Sequence, residues 1–401
     1  MPGVSRRLRR RIRAVPGPPG LAVSKAPRPV TSAWPHGVSP VVDGEVIRDI
    51  AAATSQGDTV LLFAHPDLCT DKWLDQLVAA LPSDSQVLGM SVAGALGPEA
   101  LLERGVSWIV LPRNLVAVRS ILTATPADSD EWHLLANRVL EAEHELADRY
   151  PDRNGAMILF ATGQDRQEEL MAARLYLLLP SLPLVGGSAA TSIGQESTFV
   201  ISEGRKIAGR HLILLIRSVV PLEVFQHHHF EPGDERLVVT ACGDTPRVVV
   251  ELDGRRAGDV LAAVLGCEPA ELTVARCSER PFGIRLRDSW YIRSVMDVRP
   301  DGALQFACDI SEGTVLCVMR PTDLAGSLEA FLPSVPIQAG VLFHCLGRYF
   351  EADRTGKVPL LAAQLGDYAV AGGNTFGEQY MGLHLNHTLT GLWFAGGQRD
   401  E

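Results

Sequence analysis

The chain is poor in several things at once. It has four lysines (Lys25, Lys72, Lys206, Lys357) against 33 arginines, a bias read here as genome composition and not chemistry. Its seven cysteines (69, 242, 267, 277, 308, 317, 345) are scattered and form no Cys-x-x-Cys pair, so no zinc or disulfide framework is written into the spacing and reduced thiols in the cytoplasm are expected. No apolar run is long enough for a membrane-spanning helix. There is no Gly-x-Ser-x-Gly, P-loop, His-Glu-x-x-His or dinucleotide fingerprint, which removes the signatures of the commonest enzyme classes and leaves an unusual one open. Acid is missing from residues 1–40, which hold eight basic residues and many prolines. The remainder then carries 29 basic against 47 acidic residues. An acidic body excludes nucleic acid as the main partner, since phosphate binding needs clustered Lys and Arg. The 1–40 stretch reads as a disordered basic arm or an over-called start, with a nucleic-acid or membrane-surface arm as the alternative. No apolar segment follows it to make it a signal peptide.

What is present is one phrase written three times. Leu61-Leu62-Phe63-Ala64 leads through a helical stretch to Val87-Leu88-Gly89-Met90-Ser91. Ile158-Leu159-Phe160-Ala161 leads to Leu184-Val185-Gly186-Gly187-Ser188, and Val341-Leu342-Phe343-His344 leads to Ala371-Gly372-Gly373-Asn374. From Phe63 to Gly89 and from Phe160 to Gly186 the offset is 26 residues. Each copy reads as a buried strand, a crossover helix and a second buried strand. The short apolar runs do not alternate, as expected of strands covered on both faces.

Around these copies the spacing predicts helices at 43–53 (capped by Asp43), 71–81, 130–149 and 167–179. Trp73, Leu74, Leu77, Val78 and Leu81 are expected inward on the second. Leu134, Leu135, Val139, Leu140 and Leu146 are expected inward on the third, with Glu141, Glu143, Glu145 and Asp148 solvated. Leu170, Ala173 and Leu177 are expected inward on the fourth. Thr198–Ile201 and His211–Ile216 read as a hairpin tipped by Glu203-Gly204-Arg205. The fold class is α/β: two related domains (41–250 and 251–401) with mixed β-sheets, crossover helices and stacked sheets flanked by helices.

Four groups of residues are candidates for binding. Gly186-Gly187-Ser188 and Gly372-Gly373-Asn374, at strand ends, would either present free amides to an anion or pack strands closely. Arg348 with Glu378, joined by Arg293, could hold the two charged ends of an amino acid or pair with each other. Cys345, beside a strand end, is either a crevice thiol or a small buried hydrophobe. His227-His228-His229 would set two imidazoles on one strand face, either to ligate a metal or haem or as a solvated stretch, and His387 would either hydrogen-bond a loop or ligate a metal.

The chain resembles the FIST family. The resemblance rests on Leu182-Pro183-Leu184-Val185-Gly186-Gly187-Ser188-Ala189 with Glu251-Leu252-Asp253-Gly254 for the FIST N-terminal domain. For the C-terminal domain it rests on Tyr291-Ile292-Arg293-Ser294-Val295, Cys345-Leu346-Gly347-Arg348, Gly372-Gly373-Asn374-Thr375-Phe376-Gly377-Glu378 and Leu385-Asn386-His387-Thr388. It spans about residues 45–395 and departs at Gly372-Gly373-Asn374, where the family often shows Gly-Phe. The resemblance implies an intracellular bacterial sensory protein that binds small ligands, amino acids in particular. Haem-based nitric oxide sensing is an alternative, and a Cys345 enzyme a second one. No kinase, cyclase or F-box segment is visible, so output is expected to pass through a partner protein.

Overall fold

The computed structural model describes residues 33–163, 166–192, 198–332 and 337–395. Most of the expected arm, 1–32, lies outside the described residues. The arm does not run to residue 40, because Trp34 is buried and a strand begins at His36.

Three stretches repeat one order of elements. The first is β1 (His36–Ser39), α1 (Gly44–Ala53), β2 (Thr59–Ala64), α2 (Asp71–Ala80), β3 (Gln86–Ser91), β4 (Ala95–Gly97), β5 (Ala100–Leu101) and β6 (Val106–Leu111). The second is β7 (Val116–Thr123), α3 (Ser129–Arg149), β8 (Asn154–Ala161), α4 (Glu168–Leu178), β9 (Leu184–Ser188), β10 (Val200–Ser202), β11 (Arg205–Ile207) and β12 (His211–Ser218). The third opens with β13 (Leu222–His227) and is then interrupted. The insert holds β14 (Phe230–Cys242), β15 (Val248–Leu252), β16 (Arg255–Arg256), α5 (Ala257–Leu265), α6 (Val274–Glu279), β17 (Phe282–Leu286), β18 (Ser289–Arg293), β19 (Val295–Val298), β20 (Leu304–Phe306) and β21 (Val315–Pro321). The repeat resumes with α7 (Leu324–Phe331), β22 (Ile337–Cys345), α8 (Leu346–Arg354), α9 (Val358–Gln364), β23 (Ala369–Thr375), β24 (Glu378–Tyr380), β25 (Leu383–Leu385) and β26 (Leu389–Ala395).

Each copy of the phrase is a parallel pair, β2–β3, β8–β9 or β22–β23, placing Phe63 opposite Met90, Phe160 opposite Gly187 and Phe343 opposite Gly373. Each pair is the centre of a six-stranded sheet: β1-β6-β2-β3-β10-β11, β7-β12-β8-β9-β24-β25 and β13-β26-β22-β23-β4-β5. The outermost hairpin of every sheet comes from another repeat. The hairpin β4–β5 of the first repeat joins the third sheet, β10–β11 of the second joins the first, and β24–β25 of the third joins the second. The sheets are therefore interlocked around a pseudo-threefold axis. The expected hairpin between Thr198–Ile201 and His211–Ile216 gives way to this exchange: β10 pairs with β11, and β12 returns to β8 in its own sheet.

Side-chain alternation explains the layers. Leu61 and Phe63 point to the axis, while Val60 and Leu62 point out to α1 and α2. Phe63, Phe160 and Phe343 meet at the axis with ring centroids 5.7, 6.2 and 6.0 Å apart, within the range of favourable aromatic pairs. The helices cover the outer faces. Their contact faces differ in places from the apolar spacing. Val78, Leu134, Leu170 and Leu177 are exposed, and α4 buries Glu168, Met171, Ala172 and Leu175 instead. Apolar residues surround α4, so spacing alone does not select its inner face. Glu143, expected in solvent, is buried because Arg217 of β12 pairs with it.

The insert is one sheet in the order β18-β17-β21-β14-β15-β20-β19. Its two end strands, β18 and β19, are consecutive in the chain across Ser294, so the sheet must close on itself. A separate apolar cluster, including Phe282, Phe306, Val249 and Leu261, fills it. The expected division between 250 and 251 falls in β15, inside this barrel.

Candidate functional site

The strand-end glycines do not offer free amides. β9 is flanked by β8 and by β24, with Gly187 opposite Glu378 and Gly186 opposite Gln379. β23 is flanked by β22 and β4, with Gly372 opposite Leu96 and Gly373 opposite Ala95. A Cβ at Gly186 would run into the Leu159 carbonyl oxygen, and one at Gly372 into that of Leu342. A Cβ at Gly187 would stand 2.6 Å from Phe343 Cδ1, and one at Gly373 would be 2.6 Å from Val92 Cβ. These glycines let interlocked sheets approach closely. Ser188 accepts from Gln379 Nε2 at 2.9 Å, and the Asn374 Oδ1 to His344 Nδ1 distance is 2.9 Å.

The charged candidates converge beside them, at the carboxyl end of β22. Helix α8 begins directly after Cys345, so Arg348 and Glu351, one turn apart, face back across the strand end. The chain leaves the ring for the barrel at His228-His229, over this helix. The buried Arg348 guanidinium donates to His229 Nδ1 at 3.1 Å and to His227 Nδ1 at 3.3 Å. The His229 Nε2–H donates to Glu351 Oε1 at 2.8 Å. His387 enters from the turn between β25 and β26, held at φ +53°, with Nδ1 hydrogen-bonded to Ser294 Oγ at 2.9 Å. Its Nε2 lies 4.0 Å from Glu351 Oε2, and both atoms are buried without a hydrogen-bond partner among the described residues.

Arg348 is thus a cation buried to 1 % exposure whose direct partners are neutral imidazoles. Among the described residues no carboxylate stands within ion-pair distance of it. Burial pulls its pKa down to about 10 against the raising effect of Glu351. Burial, then the Arg348 charge, lowers His227 to about 2 and His344 to about 3. Burial lowers His387 to about 4, although Glu351 opposes the shift. Burial works to raise the Glu351 carboxyl, but the His229 hydrogen bond and neighbouring positive charge outweigh it and hold it low.

Glu378 faces the same strand end but is engaged otherwise. Its oxygens accept from Thr375 Oγ1 at 2.7 Å and Thr388 Oγ1 at 2.6 Å, and burial pushes its pKa up to about 8 despite these bonds. Burial and then the Glu378 charge push the Cys345 thiol up to about 12. Arg293 belongs to an adjoining cluster. It donates to the His384 carbonyl at 2.9 Å, near Arg247, which pairs with Glu168 at 3.0 Å and Asp309 at 3.1 Å. Arg348, Glu378, Cys345 and His387 are therefore brought together, and Arg293 is set beside them.

In the three-histidine run His227 and His229 are buried and His228 is half-buried. His228 Nε2 meets the Trp290 carbonyl and its Nδ1 accepts from Phe230 N. His227 makes its second bond to the Ser327 backbone. With the Arg348 and Glu351 bonds, all six ring nitrogens are engaged. A haem iron would have to displace one of these bonds, so the run does not fit a haem ligand as it stands. Among the described residues no group of three or more His, Cys, Asp or Glu is arranged to hold a metal ion, and no helix is long and apolar enough to cross a membrane.

Sequence reasoning missed Glu351 and Ser294 and left His227 and His229 without a partner. The spacing Arg348-x-x-Glu351 on one helix and the His-x-His alternation were the available signals.

No curated protein matches the chain. The FIST N domain family matches residues 58–255 and the FIST C domain family matches residues 257–381. The junction between them falls within the barrel, and together they cover most of the molecule. The chain belongs to the FIST family.

Proposed function

We propose that this protein is a sensory module that binds a small carboxylate-bearing metabolite, of the amino-acid type, at Arg348 and changes how the barrel sits on the ring. FIST domains are associated with small-ligand binding in signal transduction. The observation that carries the reading is the Arg348 guanidinium, buried without a carboxylate partner among the described residues. A buried charge is costly unless it is paired, and two neutral imidazoles solvate it only in part. A ligand carboxylate would supply the missing countercharge in bidentate form. Glu351 Oε2, which has no hydrogen-bond partner among the described residues, would take an ammonium group.

Ligand entry requires the Ser294 corner of the barrel to lift from His387. That contact, with Ser294 N donating to Asn386 Oδ1 at 3.3 Å, couples site occupancy to barrel position. Such coupling works only through different ligand affinities of the docked and lifted states. A partner protein reads the barrel. Burial keeps the Cys345 thiol protonated, which favours this binding role over a cysteine enzyme.

The test is a thermal-shift panel of the amino acids and simple organic acids on wild type and Arg348→Met. A ligand at a hundred times its Kd adds about 2.7 kcal/mol of stability. At least one compound should raise the melting temperature of wild type and leave that of the variant unchanged. Equal shifts in both, or none in either, sink the proposal. A Soret band in purified protein would favour haem instead.

A further inference from the structure

A cleft lies where the amino ends of β2 and β3 meet β7 and the last turns of α3. Its volume is about 360 Å³, within the size range of small-molecule sites. Three arginines from three elements line it: Arg113 from the β6–β7 connection, Arg119 from β7 and Arg149 from α3. The one lining carboxylate, Glu145, is taken by Arg119 at 2.8 Å. Among the described residues neither Arg113 nor Arg149 has a carboxylate partner.

The placement of these cations is specific. Asp58 accepts from the Arg113 backbone amide at 2.9 Å and from Ser55 N at 2.8 Å, which pins the connection. Gly57 has φ +79°, and a Cβ there would lie 2.8 Å from Arg113 Nη1, so glycine keeps room for the guanidinium. Arg149 lies 5.5 Å from the Tyr150 ring centroid. Leu146 and Val116 give the cleft an apolar floor. A cation in the last turn of a helix offsets the helix dipole, which accounts for Arg149 alone. It does not account for Arg113 and Arg119 converging on the same space, on a chain whose net charge is −10.

We infer that this cleft is a second binding site, for a small organic dianion of the phosphomonoester type, independent of the Arg348 site. Arg113 and Arg149 grip the phosphoryl oxygens, since guanidinium matches phosphate in paired hydrogen bonds. Tyr150 and Leu146 receive the apolar body. Arg119, fixed by Glu145, closes one side.

Phenyl phosphate, titrated calorimetrically into the full chain, tests the assignment. Binding with a stoichiometry of one is expected, weakened about tenfold by Arg113→Ala and by Arg149→Ala, each removing one charge-assisted contact. Inorganic phosphate should bind several-fold more weakly than phenyl phosphate. Arg285→Ala, which removes an exposed arginine elsewhere, should change nothing. Both cleft arginines are exposed, so neither substitution threatens the fold. Absence of binding overturns the inference. So does equal affinity in all variants, or an Arg285→Ala loss as large as that of the cleft variants, since each marks general charge attraction.

Discussion

Replacing Gly187 with alanine separates a binding glycine from a packing one. The added methyl carbon would stand 2.6 Å from Phe343 Cδ1 and 2.7 Å from Thr375 Cγ2. Ordinary carbon contacts are about 3.5–4.0 Å, so about 1 Å must be recovered by movement. Phe343 has little to give, because Phe63 and Phe160 hold its ring at centroid distances of 6.2 and 6.0 Å. Overpacking of this kind costs about 1–3 kcal/mol. That is a sizeable share of a typical total of about 5–15 kcal/mol. At about 2–4 °C per kcal/mol, the melting temperature should fall by roughly 2–12 °C. Affinity of the folded variant for the Arg348 ligand should stay within about twofold. The double variant Gly187→Ala/Phe343→Leu should be less destabilised than the single effects predict, with a coupling energy of about 0.5–3 kcal/mol. Scanning calorimetry and ligand titration on the same samples decide the matter. An unchanged melting temperature with lost affinity would refute the packing argument and return the glycine corner to the binding site.

Two further outcomes follow from the buried titratable groups. The rings of His227, His228, His344, His384 and His387 have folded pKa values pushed down to between about 2 and 4, chiefly by burial. Their unfolded value is near 6.5, so the unfolded chain binds more protons below about pH 7. The stability they protect is complete above that pH and lost as pH falls. Glu378, raised to about 8, acts in the opposite sense and weakens the fold as pH rises to 8. The urea midpoint should therefore drop steeply from pH 6.5 to 5, with a slope of about 1.4 kcal/mol per pH unit for each proton taken up. Glu378→Gln should remove that opposing slope between about pH 4.5 and 8, so the fall below pH 6.5 becomes steeper and the profile toward pH 8 flatter, and a level midpoint between pH 5 and 7 contradicts this. Cys345, with its thiol at about 12, should resist iodoacetamide at neutral pH until the protein unfolds; rapid labelling of the native state contradicts its assignment as a buried structural thiol.

The three strand–helix–strand units were legible because parallel strands covered on both faces are short, unbroken apolar runs, and these run from Thr59, Met157 and Val341. The cap of α1 was legible too, since Asp43 is a local signal, and so was the start of α2 at Asp71. The exchange of hairpins was not. A three-residue strand such as Arg205–Ile207 carries no mark of which sheet receives it, and only the whole ring decides that. Barrel closure at Ser294 was hidden for the same reason, because both end strands look like ordinary neighbours in sequence. At the site, Arg348, Glu378 and His387 came from family-like motifs. The Arg348-x-x-Glu351 and His-x-His spacings hinted at further members, but the pairing of Arg348 with His229 and of His229 with Glu351 exists only once α8 folds against the β13–β14 corner. The glycines misled because close backbone approach and ligand approach demand the same residue.

The central claim is that Arg348 is a buried cation awaiting an anionic ligand. Its most direct measurement is calorimetric titration of the compound that most stabilises wild type into wild type and Arg348→Met, with both melting temperatures recorded. The account predicts that the variant stays folded, since an apolar side chain of similar volume replaces a costly buried charge, while affinity falls at least a hundredfold. Retained affinity in a folded Arg348→Met protein would contradict it.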